Sequence, residues 1–165
     1  MPVKYTIRTP ILVIGPSIAH ISLSRGQYSC IDSVVLRYAE LWNWQAAYYP
    51  TVKGFYMQRR GNVRLHRELL NAPKGVDVDH INGNTLDNRI ANLRLASRSE
   101  NCRNQGKRRN NTSGFKGVSK HGTKWQAYIS TPKGRLFLGT FDTPEDANEA
   151  YQAAARKYHG EFAKA

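Results

Sequence analysis

Apolar and polar positions along this chain repeat with two different periods, and the switches between them outline its elements. Residues 76 to 81, Val-Asp-Val-Asp-His-Ile, alternate as a strand does, and Asn92-Leu-Arg-Leu-Ala-Ser97 alternates again. Between them, Asn82-Gly83-Asn84 is a turn signal, so the pattern predicts a hairpin with a long loop. Ser97-Arg98-Ser99-Glu100 then forms an S-x-x-E capping box, which places the first helical residue at Arg98 and Asn101 in the second turn. Gly106 ends that helix after about two turns. Upstream, short apolar or aromatic runs such as ISLSRGQYSCI, WNWQAAYY and GFYMQRR predict strands around one helix from Ser33 to Leu41. Downstream, Trp125, Ala127 and Ile129 share one strand face while Lys124, Gln126, Tyr128 and Ser130 share the other, and Leu136 and Leu138 oppose Arg135 and Phe137. A last helix is marked by Thr143 as cap and Pro144 at its first position. Its apolar stripe runs through Ala147, Ala150, Tyr151, Ala154 and Tyr158, with Gly160 past the end.

Charge narrows the partner. The 165 residues carry 25 Lys+Arg against 12 Asp+Glu, a net charge of +13, and the excess is spread over the whole chain. Such a positive field suits a polyanion, with nucleic acid the leading candidate. Cys30 and Cys102 are the only cysteines and form no C-x-x-C pair, so no structural zinc is expected. Two unpaired thiols fit a reducing cytoplasm, and the longest apolar run near the start, Ile11 to Ile14, is too short for export or a membrane span. Trp42, Trp44, Tyr48, Tyr49, Phe55 and Tyr56 are expected to serve mainly as core. The polar, basic stretch from 103 to 113 is the expected linker between two domains, 1 to 102 and 114 to 162.

The hairpin segment has chemical potential. A hard divalent ion takes oxygen ligands and keeps several waters, so the Asp79 carboxylate and the Asn101 amide oxygen, completed by substrate phosphate, would form an adequate shell for one Mg2+ or Mn2+ ion. His80, whose side chain has an unperturbed pKa near neutrality, is the residue suited to take a proton from an attacking water. Neighbouring residues in a strand face opposite sides, so Asp79 and His80 can flank one site only where the strand ends. A buried amide at Asn92 could pin the loop through its backbone. Taken singly, each of these residues is ordinary turn vocabulary.

As a set they resemble the HNH nucleases, over HRELLNAPKGVDVDHINGNTLDNRIANLRLASRSENCRNQ. That resemblance implies a ββα-metal core within about residues 63 to 105, with Asp79 and Asn101 as metal ligands, His80 as general base and Asn92 as the loop-positioning residue. Position 101 is Asn where many members have His, a variant that also occurs in phage and intron-encoded nickases. The leader, including VRLHRELL, looks like that of phage-type HNH proteins, and its His66 and Arg67 are candidates for supporting the site or touching phosphate.

The C-terminal part carries a second signal. From residue 111 to 141 the charged side chains are Lys116, Lys120, Lys124, Lys133 and Arg135, whereas acids dominate from Asp142 onward. The sheet rather than the helix would therefore face DNA, with Arg135 able to reach guanine, Gln126 an adenine edge, and lysines the backbone. SGFKGVSKHGTKWQAYISTPKGRLFLGTFDTPEDANEAYQAAARKYHG resembles the plant ethylene-response-factor (APETALA) DNA-binding domain, a three-stranded antiparallel sheet over one helix. The resemblance places Lys116, Ser119, Gln126, Tyr128, Ser130, Arg135 and Phe137 at DNA-facing positions. Several of these differ from the plant residues, so a different base preference follows.

The combined expectation is an α+β protein acting as a monomer, without a protein partner. It would be a DNA endonuclease of phage or bacterial-host context, nicking or homing, addressed by its C-terminal sheet. The competing reading is a DNA-binding regulator on a nuclease scaffold that no longer cuts.

Overall fold

A computed structural model describes residues 11–13, 17–104, 106–107 and 110–163. The fold is mixed α+β, with several small antiparallel sheets and few helices. The chain divides into two compact units, Met1–Ser97 and Arg98–Ala165.

In the first unit, β1 (Ile11–Val13), β2 (Ile18–Ser22) and β3 (Tyr28–Asp32) form an antiparallel sheet in that order. The helix expected over 33 to 41 is a 3-10 turn at Ser33–Val35 followed by α1, Leu36–Ala39. It is short because only Val35 and Ala39 are buried, while Val34 and Leu41 stay in solvent, too narrow a stripe to hold a longer helix. A second antiparallel sheet comprises β4 (Gln45–Tyr49), β5 (Gly54–Arg59) and β6 (Val63–Arg64), and α2 (Leu65–Leu69) follows directly. The core joins both sheets through Ala19, Ile21, Ile31, Trp44, Met57 and Leu65. Of the aromatic residues expected as core, Trp44 is buried, Phe55 packs against the core, and Trp42 and Tyr48 are exposed. Trp42 is covered instead by the Arg59 guanidinium, 4.0 Å above its ring.

The hairpin forms as the alternation predicts, one residue shorter at each end of each strand. β7 (Asp77–His80) pairs antiparallel with β8 (Leu93–Ala96), with Asp79 opposite Arg94 and His80 opposite Leu93.

The second unit opens with α3 (Arg98–Asn104), which starts at the residue the capping box marks and ends before Gly106. β9 (Val118–His121), β10 (Lys124–Thr131) and β11 (Gly134–Phe141) form an antiparallel sheet with β10 central. α4 (Pro144–His159) begins on Thr143, whose hydroxyl accepts from the Asp146 backbone N–H. Its buried stripe is Ala147, Tyr151, Ala154, Ala155 and His159, against Ala127 and Ile129 of the sheet. Tyr158 lies outside that stripe and is exposed, because the buried face drifts one residue round toward His159 in the last turn. A β-bulge after Ala127 shifts the register, so that Ala127 faces Gly139 but Tyr128 faces Phe137, with Leu138 the extra residue. The bulge lets Leu138 reach the helix core while Phe137 keeps to the opposite face.

Candidate nuclease site and DNA-facing sheet

The end of β7 is buried on both faces, with Asp79 and His80 adjacent in the strand and each held by its own set of neighbours. Asp79 and His80 are each only 4% exposed. On one side, Arg94 donates from Nε to Asp79 Oδ2 at 2.8 Å, and its Nη2 lies 2.7 Å from the same oxygen. This directly opposed cross-strand pair neutralises the carboxylate and fixes its plane.

On the other side, His80 meets the His66 ring at 5.0 Å and the Tyr56 ring at 6.0 Å, and its Nε2 lies 3.4 Å from Asn88 Oδ1. The orientation of Asn88 follows from its partners. Its Nδ2 donates to Ser29 Oγ, and that hydroxyl donates onward to the Leu86 carbonyl. Asn88 therefore presents an oxygen to His80 Nε2, a contact that suits a proton on that nitrogen. Burial pushes the His80 pKa below its ordinary value, against the opposing pull of Asn88, Asp79 and Asp87. The ring is neutral at cellular pH, the form that can accept a proton.

The loop between the strands is tied down along its length. Asn84 N–H donates to Asn82 Oδ1, Leu86 N–H donates to Asn84 Oδ1, and Gly83 takes a positive φ of 77°. Asn92 accepts from the Asn82 backbone N–H at 3.0 Å and donates to the Asp87 carbonyl at 2.8 Å. Asp87 holds Arg89 through both oxygens and accepts from Asn82, and the Arg89 contacts hold its carboxyl below the usual range. The loop is also joined to β3: Cys30 N–H donates to the Leu86 carbonyl, and Asn88 N–H to the Cys30 carbonyl. Thr85 donates to the Phe55 carbonyl of β5. The N-terminal sheets thus act as a frame that holds the loop beside His80.

Of the leader candidates, His66 packs against His80, is 3% exposed and is held at a pKa of about 2, by burial first and then by the charges of His80, Arg64 and Arg67. Arg67 is engaged elsewhere: its guanidinium donates to the carbonyls of Val76, Ala72 and Pro73, clamping the turn that leads into β7. Asn101 lies half-buried in α3 of the second unit. Asn88, Asp87, Arg94 and Ser29 complete the frame without having been singled out in the sequence. The repeated Asn and Asp of the 82 to 88 loop were a signal for the first two. Ser29 and Arg94 carried none, since their roles depend on which strands meet.

In the second unit, Gln126, Tyr128, Arg135 and Phe137 gather on the sheet face away from α4. The Tyr128 hydroxyl donates to Gln126 Oε1, its ring lies 5.1 Å from that of Phe137, and the Arg135 guanidinium stacks 3.9 Å above it. Ser119, Ser130, Arg135 and Phe137 are exposed. Lys124 is drawn to Asp142 at 3.1 Å, and Lys116 donates from Nζ to the Arg103 carbonyl of α3.

Residues 71–103 match the HNH endonuclease family model. Protein 3.8 of Escherichia phage T7 is 34% identical over 116 residues, covering 68% of this chain and 94% of that protein. Ethylene-responsive transcription factor ERF084 of Arabidopsis thaliana is 50% identical over 56 residues, 32% of this chain and 22% of its own length. Dehydration-responsive element-binding protein 2D of the same plant is 41% identical over 71 residues, 41% of this chain and 34% of its own. The chain spans only about a quarter to a third of these two plant factors. The chain therefore belongs to the same family as T7 Protein 3.8, contains a segment that matches the HNH endonuclease model, and carries in addition a segment similar to the plant ethylene-responsive factors.

Proposed function

We propose that the protein is a divalent-metal-dependent DNA endonuclease that nicks double-stranded DNA, addressed by the exposed face of its C-terminal sheet. The observation that carries this reading is the His80 imidazole, buried, with Nε2 facing Asn88 Oδ1 and a fixed carboxylate at the preceding residue. His80 Nδ1 takes the proton from a water as it attacks phosphorus. Asn92 keeps the loop, and with it His80, from shifting as the phosphate arrives. Asp79 and Asn101 are the residues that would hold the ion. One carboxylate oxygen and one amide oxygen are a donor set fitting a single hard cation, with water and phosphate oxygens making up the remainder. When bound, Mg2+ or Mn2+ supplies charge stabilisation at the leaving 3′ oxygen. Hydrolysis would leave a 5′ phosphate and a 3′ hydroxyl. On the sheet, Arg135 is placed to read guanine and Gln126 an adenine edge, with the Tyr128 and Phe137 rings offering apolar contact.

Incubation with supercoiled plasmid and Mg2+ or Mn2+ tests this reading. The expected product is open-circular DNA that a ligase can reseal, and His80→Ala should slow its formation by about 10²- to 10⁴-fold. Equal products from both proteins would remove His80 as the base. A failure to cut any DNA, with binding retained, would favour the non-catalytic regulator.

A further inference from the structure

A cleft of about 570 Å³ lies within the second unit, at the place where the sheet is left unfinished. β9 pairs only with Lys124 to Ala127 of β10, so the later half of β10 has no strand on that side. α3, the segment that follows it and the end of α4 close around this open edge. Its cationic lining is Arg103, Lys107, Lys116 and Arg135, and no Asp or Glu lines it among the described residues. Lys116, in the turn before β9, and Arg135, on β11, are positions that the resemblance assigns to DNA, whereas Arg103, in α3, and Lys107 come from the stretch expected to be a linker.

A second, independent feature points to a ligand. His159 lines the same cleft and is 6% exposed; its Nε2 donates to the Ser130 carbonyl at 2.8 Å, while its buried Nδ1 has no hydrogen-bond partner. A buried ring nitrogen without a partner is costly unless something fills the place it faces. Burial first, and then the charges of Arg103 and Lys116, disfavour protonation of this ring. An incoming anion would offset those two charges and let Nδ1 become a second donor.

We propose that this cleft is a binding site for DNA backbone phosphate, formed by Arg103 and Lys107 together with Lys116 of the turn before β9. Like charges gathered in a concave site repel one another in the free protein, and an anion relieves that repulsion. Phosphate contacts fix the register of a protein on the duplex without reading sequence. The cleft would thus hold the backbone strand beside the face that reads bases. It would also fasten the DNA to α3, the helix that carries Asn101. This inference rests on the proposed DNA-binding role of the unit and adds a site to it.

The test uses the full chain and short fluorescent duplexes of unrelated sequence, titrated at several salt concentrations. Arg103→Gln with Lys107→Gln should weaken binding to every duplex alike and reduce the slope of log K against log[salt] by about 2, about 1 for each cation removed. Arg103→Lys with Lys107→Arg should restore the slope, which separates lost charge from lost folding. The His159 ring signals in NMR should shift when duplex is added. An unchanged slope in the Gln double variant, while Arg135→Ala still weakens binding, would overturn the cleft and leave the sheet reading intact. His159 signals that respond to inorganic phosphate but not to duplex would assign the site to a free anion and overturn it as well. If the unaltered protein binds no duplex, both readings fall.

Discussion

The two units of this protein handle polar side chains in opposite ways. The first buries Ser29, Gln58, His66, Asp79, His80, Asp87, Asn88 and Asn92, and the second buries only Asn104 and His159 among its described residues. The second instead leaves its functional candidates on a surface, with Arg135, Ser130 and Phe137 exposed on one sheet face. On the proposed roles, the difference follows from what each has to do. A general base needs an oriented ring that is unprotonated at working pH; burial favours the neutral form of His80, and Asn88 orients the ring. A DNA-reading face needs groups that a duplex can reach, so its rigidity has to come from behind, from α4 packed on Ala127 and Ile129.

The contrast predicts that damage in one unit should be legible separately from damage in the other. The largest stability effect is expected at Gly117, which has φ of +74° and sits where any Cβ would overlap the Tyr151 ring and the Tyr128 carbonyl oxygen. Gly117→Ala should destabilise the second unit by about 3 kcal/mol, read by thermal melting, with hydrogen exchange at β7 and β8 unaltered. Loss of protection in both units together would mean that they fold as one. Asn92→Ala strands the Asn82 N–H and the Asp87 carbonyl, and should cost the first unit about 1 to 3 kcal/mol, measured by urea unfolding. Protection of β10 and β11 should stay as it was. Arg135→Ala should weaken specific DNA binding by about 1 to 3 kcal/mol if it reads a guanine, without slowing single-turnover cleavage at saturating protein. An unchanged affinity and base preference would sink that assignment.

The last effect concerns pH. His66 is held at about 2 in the folded protein against 6.5 as its ordinary value. Below pH 6.5 the unfolded chain takes up a proton that the folded chain refuses, so stability falls as pH falls through that window. The slope from this residue is at most about 1.4 kcal/mol per pH unit. His66→Gln should flatten the dependence between pH 6 and 4, as read from urea midpoints, and an unaltered slope would show that His66 is not held neutral.

Much of this was legible along the chain, for reasons that lie in period and chemistry. The alternation around Asp79 and around Leu95 placed both strands of the hairpin, because a strand with distinct faces has period two. The capping box placed α3, and Thr143 with Pro144 placed α4, because helix ends have obligatory donors to satisfy. The short α1 was less legible, since apolar spacing over 33 to 41 does not reveal which positions find a core. The β-bulge at Ala127 was invisible to a face count, as it depends on the partner strand. The frame around His80 was the least legible part: Ser29 and Asn88 lie 59 positions apart in the chain and meet only after β3 has formed.

The central claim is a division of labour in which His80 of the first unit serves the cut, with Asn101 of α3 as an ion ligand, and the C-terminal sheet addresses it. It is tested most directly by His80→Ala, with DNA binding and Mg2+-dependent nicking followed on the same duplex substrate. The account predicts wild-type affinity with nicking reduced by about 10²-fold or more. Nicking at the wild-type rate by this variant would contradict it.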